Sequence, residues 1–177
     1  PLLSADTAQL LLLERTNDSD REVRRAAVQS LAAFPTSQSV QAAVGLYSDP
    51  GLFVREQAEE TAVALHPRIS VEEATFGRLL DDDEEARLRV FNVLGRIGAA
   101  ERAQAVEQRV PMETRPENLA AAVMALARLE YPAEEVLLQS LKLHEDAGVR
   151  EDVANAMDDV PGETIDAASL EVVEDEV

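Results

Sequence analysis

The sequence predicts an all-α protein made of about five antiparallel helix pairs stacked in a row. Three observations carry the prediction. Apolar residues recur at the spacing of one helical face, the same block returns at a near-constant interval, and each block ends in a helix breaker. Alanine is abundant and aromatic residues make up only 3% of the chain, a composition that favours helices over strands. At 177 residues the chain suits one domain with a sizeable core.

Counting from Val23, buried-type residues stand at Ala27, Leu31 and Phe34; counting from Val54, they stand at Ala58, Ala62 and Leu65. The next blocks read Ala86, Val90, Leu94, Ile97, then Asn118, Ala122, Leu126, Leu129 with one polar departure, then Val149, Val153, Met157, Val160. Steps of four, four and three trace one side of an α-helix. The starting points at 23, 54, 86, 118 and 149 lie 31, 32, 32 and 31 residues apart, an interval that marks stacked repeats. Breakers follow at Pro35, Pro67, Gly98, Pro132 and Pro161, while Pro50, Pro111 and Pro116 fall in turns or at helix starts.

Each block leaves room for one helix before it. The first pair takes helices near 6–16 and 20–34, and the second near 37–47 and 52–66. The third lies near 70–80 and 83–97, the fourth near 99–110 and 116–130, and the fifth near 133–143 and 147–160. Leu10 to Leu13 read as a buried helix and not as a signal peptide, because no basic segment precedes them and no small-residue cleavage site follows. Asp20, Asp83 and Asp146 stand three residues before the start of their blocks, placed to cap the second helix or face its positive end. The fourth pair has a longer connection, "VPMETRP", with Pro116 as the first helical residue. The result is one repeat domain over residues 1–160, with units at about 6–35, 36–67, 68–98, 99–131 and 132–161. Residues 161–177, with six acids and no base, form an acidic C-terminal cap or tail.

The block "DSDREVRRAAVQSL", repeated more loosely as "DPGLFVREQAEETA", "DDDEEARLRVFNVL" and "EDAGVREDVANAM", resembles the HEAT repeat, especially its short form from phycobilisome-lyase-like proteins. The resemblance covers about residues 6–160. It implies a right-handed α-α superhelix, a HEAT-like solenoid, whose second helices line the concave face. It also implies that the arginine following the block start, present as Arg24, Arg55, Arg87 and Arg150 and replaced by Leu119, pairs with acids of neighbouring units in a structural ladder. Asp18, Asp20, Asp49, Asp81, Asp83 and Asp146 are the acids at hand.

Charge narrows the function. Thirty-five acids against 16 bases give −19, so nucleic acid and anionic membrane are excluded as expected partners. Lys142 is the single lysine; many acids with arginine for lysine fit a salt-loving or GC-rich source. There is no cysteine for a disulfide or thiolate metal site, and no run of about 18 apolar residues to span a membrane. The acids Asp81 to Glu85 lack calcium-loop spacing and read as a turn and helix start. His66 and His144 fall in different units, and no nucleophile–His–acid set serves either. "GRIGAA" follows a helix and acts as a stop, not as a phosphate cradle.

The expectation is therefore a cytoplasmic, non-catalytic scaffold with no cofactor and no metal. Leu88, Asn92, Ala120 and Met124 form a mild patch on the second helices for a protein partner with a basic or helical element. Two other roles stay open. The resemblance to bilin lyase subunits implies chromophore attachment, and the chain also suits a regulatory domain of a larger protein.

Overall fold

The computed structural model describes residues 4–132 and 141–158. These residues hold nine α-helices, three 3-10 turns and no strand. The helices are α1 (Ala5–Arg15), α2 (Arg21–Leu31), α3 (Ser37–Gly45), α4 (Leu52–Leu65), α5 (Glu72–Phe76), α6 (Glu84–Ile97), α7 (Ala103–Arg109), α8 (Pro116–Arg128) and α9 (Ala147–Asp158). The 3-10 turns are Leu46–Ser48, Ala100–Arg102 and Val110–Met112.

Local chemistry sets the helix starts. Ser4, Asp20 and Thr36 accept from Thr7, Glu22 and Ser39 backbone N–H groups, and Asp83 accepts from both Glu85 and Ala86. Each bond satisfies a donor that the first turn leaves open. Asp146 does the same for Gly148 and Val149. α8 opens on Pro116, whose missing N–H costs nothing there. α6 stops at Gly98, in the left-handed conformation at φ 70°. At the end of α8, Glu130 occupies the same region at φ 51°.

The helices pair in order, α1 on α2, α3 on α4, α5 on α6 and α7 on α8. The second helices α2, α4, α6, α8 and α9 pack in one continuous series. Phe91, Leu31, Leu65, Leu94 and Leu126 are its largest fully buried side chains, joined by Tyr47 from the 3-10 turn after α3. Position zero of each block points back at the preceding unit: Val54, Ala86, Asn118 and Val149 are all at most 1% exposed. Val23, at the same position of α2, is 36% exposed. The expected burial of Leu10 to Leu13 is corrected. α1 buries none of its residues, with Leu10 and Leu11 exposed; among the described residues it packs chiefly on α2 and, less, on α3.

After α1, which has the expected length, the first helices are shorter than expected. Of 70–80 only Glu72–Phe76 is α-helical. Gly77 ends it, and Arg78 then turns away to reach back to the preceding unit, donating to Val44 O at 2.8 Å and to Ser48. Residues 99–110 begin as a 3-10 turn before α7. The fifth first helix falls mostly outside the described residues, as do residues 159–177 with Val160 and the cap or tail.

The tightest contact joins α6 to α8. A Cβ placed on Gly95 would lie 2.8 Å from Ala125 Cα, whereas one on Gly45, at the end of α3, meets nothing within 4 Å. Alanine is the better helix former at both positions. Gly95→Ala is nevertheless expected to destabilise the protein by about 1–3 kcal/mol through overpacking. Gly45→Ala is expected to stabilise it by about 0.4–1 kcal/mol. Urea unfolding of the two variants checks the opposite signs.

Candidate partner-binding surface

The arginines following the block starts occupy equivalent places. Arg24 Nη1 donates to Asp18 O and Ser19 O, Arg55 Nη1 to Asp49 O, Arg87 Nη1 to Asp81 O and Asp82 O, and Arg150 Nη1 to His144 O and Glu145 O. Each guanidinium thus ties the start of its helix to the turn five or six residues earlier. In Arg24, Arg55 and Arg87 the other edge faces the next unit. Arg24 makes a two-pronged bond to Asp49 (2.7 and 2.9 Å) and Arg87 one to Glu113 (2.8 and 2.9 Å). Arg55 meets Glu85 at 3.1 Å.

The carboxylate partners are therefore Asp49, Glu85 and Glu113. Asp20, Asp83 and Asp146 accept from helix N–H groups instead. As arginine partners these three are corrected: a cap carboxylate must point down its own helix axis, away from the neighbouring unit.

Glu113 is the most enclosed charge, its side chain fully buried. It accepts from Arg87, from Arg109 Nε at 2.7 Å and from Asn118 Nδ2 at 2.9 Å. Burial alone would raise its pKa; the hydrogen bonds from Arg87, Arg109 and Asn118 outweigh it and hold the carboxyl below its ordinary value. Asp49 shows the same contest, with burial opposed and overcome by Arg24 and the Gly51 N–H. Sequence reasoning missed Glu113. Its signal was there: Glu113 stands five residues before Asn118, as Asp49 stands five before Val54. The polar departure at Asn118 belongs to the same cluster, since Asn118 also donates to Glu84 O on α6 at 3.0 Å.

A second cluster lies between α4 and α6 and was also missed. Glu59 accepts from Arg89, Asn92 and Arg96 at 3.0, 3.1 and 3.0 Å, and Arg96 also forks onto Glu60. Of the acids Asp81 to Glu85, three have separate tasks: Asp81 pairs with Arg78, Asp83 caps α6 and Glu85 pairs with Arg55 and Arg115. Among the described residues no group of three His, Asp or Glu is placed to hold a metal ion. His66 ends α4, and His144 Nδ1 accepts from Asp146 N.

The expected patch lies two and six residues after the block starts Ala86 and Asn118, on α6 and α8. Leu88, Asn92 and Met124 are half-buried, with Leu88 and Met124 packed against the core, and Ala120 is buried. The same positions of α2 and α4 hold Arg25, Gln29, Glu56 and Glu60. The second-helix face therefore changes along the stack from charged to apolar. An open groove of about 460 Å³ crosses its charged half, lined by Arg25, Phe53, Glu56, Glu60 and Asn92 among others. Phe53 stands 57% exposed at its edge.

Residues 8–70 match the family described as HEAT repeats, and the fold of the described residues is HEAT-like. None of the curated proteins matches it by sequence. Among solved structures it is similar to a chain in the complex of CpcE and CpcF of phycocyanin lyase from Nostoc sp. PCC7120. The two are 20% identical with a TM-score of 0.63, over 92% of this chain and 67% of that one. At that identity the likeness is one of fold. No helix among the described residues is long and apolar enough to cross a membrane.

Two predictions follow from the ion pairs. Arg87→Met leaves Glu113 buried without its main partner and is expected to cost about 3–5 kcal/mol. Arg115→Met, at a pair about one-third exposed on both sides, is expected to cost under about 1 kcal/mol in the same urea titration. Asp49 and Glu113 are held below their ordinary values of 3.8 and 4.5. A lowered carboxyl contributes stability in full above its unfolded value and loses it as pH falls through the folded one. Urea midpoints are therefore expected to fall progressively as pH drops below about 4.5. A midpoint that rises on acidification contradicts the assignment.

Proposed function

We propose that this chain is a non-catalytic scaffold that docks a protein partner along the face of its second helices. The gradient of that face carries the reading. Glu56 beside the open groove supplies an acid at one end, where Glu59 and Glu60 are already held by Arg89 and Arg96, and Leu88, Asn92, Ala120 and Met124 give the face an apolar end. The partner that fits is an amphipathic helix with a basic end over Glu56 and an apolar end over Leu88 and Met124. Phe53 supplies an aromatic contact at the charged end. The chain's −19 charge speeds the approach of a basic partner and makes binding weaken with salt.

A second reading rests on the fold likeness to a phycocyanin lyase chain solved in a two-protein complex. In that reading the chain is a lyase-like subunit acting with a second protein on a bilin. Visible absorbance of the purified chain after mixing with free bilin favours this reading.

The test is affinity capture by the tagged chain from lysate of its own organism at low and high salt, with mass spectrometry. The scaffold reading expects one protein at stoichiometric amount, reduced at high salt. Glu56→Arg is expected to weaken its affinity about tenfold, roughly 1.4 kcal/mol. Phe53→Ser is expected to weaken capture while circular dichroism shows an unchanged helix content, because Phe53 is not part of the core. Full retention by both variants at both salts contradicts the proposed face.

A further inference from the structure

A row of exposed apolar side chains repeats in register along one edge of the stack. Leu80, Met112 and Leu143 each stand six residues before a block start, Ala86, Asn118 and Val149. They are 76%, 63% and 85% exposed. The same position in the first two units holds Asn17 and Ser48, so the fold of a unit does not require an apolar side chain there. Arg87 and Arg150 bind carbonyls of the turns that follow Leu80 and Leu143, and Met112 ends a 3-10 turn, so the row stands on fixed backbone. Between Leu80 and Met112 the row borders an apolar groove of about 380 Å³, lined by Phe76, Leu79 and Ala105 among others.

Geometry and charge select what covers the row. Stacked helices lie about 8–10 Å apart, which sets the step from one unit to the next. Seven residues of an α-helix rise about 10.5 Å. A helix lying along this edge therefore brings side chains i, i+7 and i+14 to the three units in turn. Asp82 and Glu145 stand four residues before the block starts Ala86 and Val149, on the turns beside Leu80 and Leu143. Both are exposed, and neither side chain has a hydrogen-bond or ion-pair partner among the described residues. Arg109, which lines the groove, is engaged by Glu113, and Arg78 by Asp81. Lys142, next to Leu143, is half-buried. The free charge along the row is thus negative. It disfavours residues 161–177, with six acids and no base, and a second copy of this −19 chain, and it attracts a basic segment.

We propose that the row of Leu80, Met112 and Leu143 docks an amphipathic helix of a partner protein, with apolar residues at seven-residue spacing and lysine or arginine on the flank over Asp82 and Glu145. The row shares no residue with the second-helix face, so each proposal stands or falls without the other.

A synthetic helical peptide with leucine at i, i+7 and i+14 and lysines on one flank, titrated into the full chain, tests it by NMR of the methionine methyl groups. The chain has three methionines, Met112 in the row, Met124 on the second-helix face and Met157 on α9; Met112→Leu and Met124→Leu assign the first two signals. The expected result is a saturable shift of the Met112 signal with Met124 unmoved. Leu80→Asn and Leu143→Asn should each weaken the peptide on the order of tenfold or more. Both residues are exposed, so helix content and urea midpoint should stay unchanged. Glu56→Arg, on the second-helix face, should leave the affinity intact, and a peptide with glutamates for its lysines should not bind. The proposal is overturned if Met112 stays unmoved, if Met124 moves in its place, or if both asparagine variants keep full affinity. Equal binding of the glutamate peptide also overturns it, and so does a Met112 signal that moves with the concentration of the chain alone, which assigns the row to a second copy.

Discussion

A guanidinium held in two places at once governs how the units of this protein join. At three successive junctions one edge of an arginine binds carbonyls of the turn before its own helix, and the other edge binds a carboxylate of the next unit. The task requires a planar group with several donors. A lysine ammonium reaches one of the two places and not both in a fixed geometry. The turn carbonyls are groups that a short connection cannot satisfy with its own backbone, so the same side chain closes the turn and fixes the next unit. Asp49 shows how the rungs link: its carboxylate takes Arg24, while its carbonyl takes Arg55.

The irregular fourth pair shows the same constraint met by other residues. Leu119 stands where an arginine is expected, and no guanidinium ties the start of α8 from that position. Glu113 nevertheless receives Arg87 from α6, and Arg109 and Asn118 from its own unit satisfy the rest of the carboxylate. Arg115, just before α8, pairs with Glu85 across the junction. Close packing completes the joint: with Gly95 against Ala125, α6 and α8 approach until a single methyl group no longer fits.

The second helices were legible because a four-four-three spacing is a geometric signature of one helical face, and because proline and glycine marked every end. The first helices were less so. Their pattern is weak, and α5 stops at Gly77 for a reason outside its own sequence, namely that Arg78 is recruited by Val44 and Ser48 of the preceding unit. Leu10 to Leu13 are less buried than expected because an apolar run reports which residues can be covered, not how far the helices packed on them reach. On the candidate site, the sequence singled out Leu88, Asn92, Ala120 and Met124, but not the charged half of the same face. Arg25, Glu56 and Glu60 look like an ordinary solvated surface until the helices are stacked. The Glu59 cluster was hidden for a similar reason: its partners Arg89, Asn92 and Arg96 lie 30, 33 and 37 residues away.

The central claim is that the arginine–carboxylate contact across a junction contributes to stability in its own right and is not a by-product of apolar stacking. A double-mutant cycle on Arg24 and Asp49, using Arg24→Met, Asp49→Asn and the pair, measures it by urea unfolding. Asparagine keeps an acceptor for the Gly51 N–H, so the turn is retained while the charge is removed. The account predicts that the two changes are strongly non-additive, with a coupling of about 1.5–3 kcal/mol. Additive losses, with a coupling near zero, would contradict it and assign the joining of the units to packing alone.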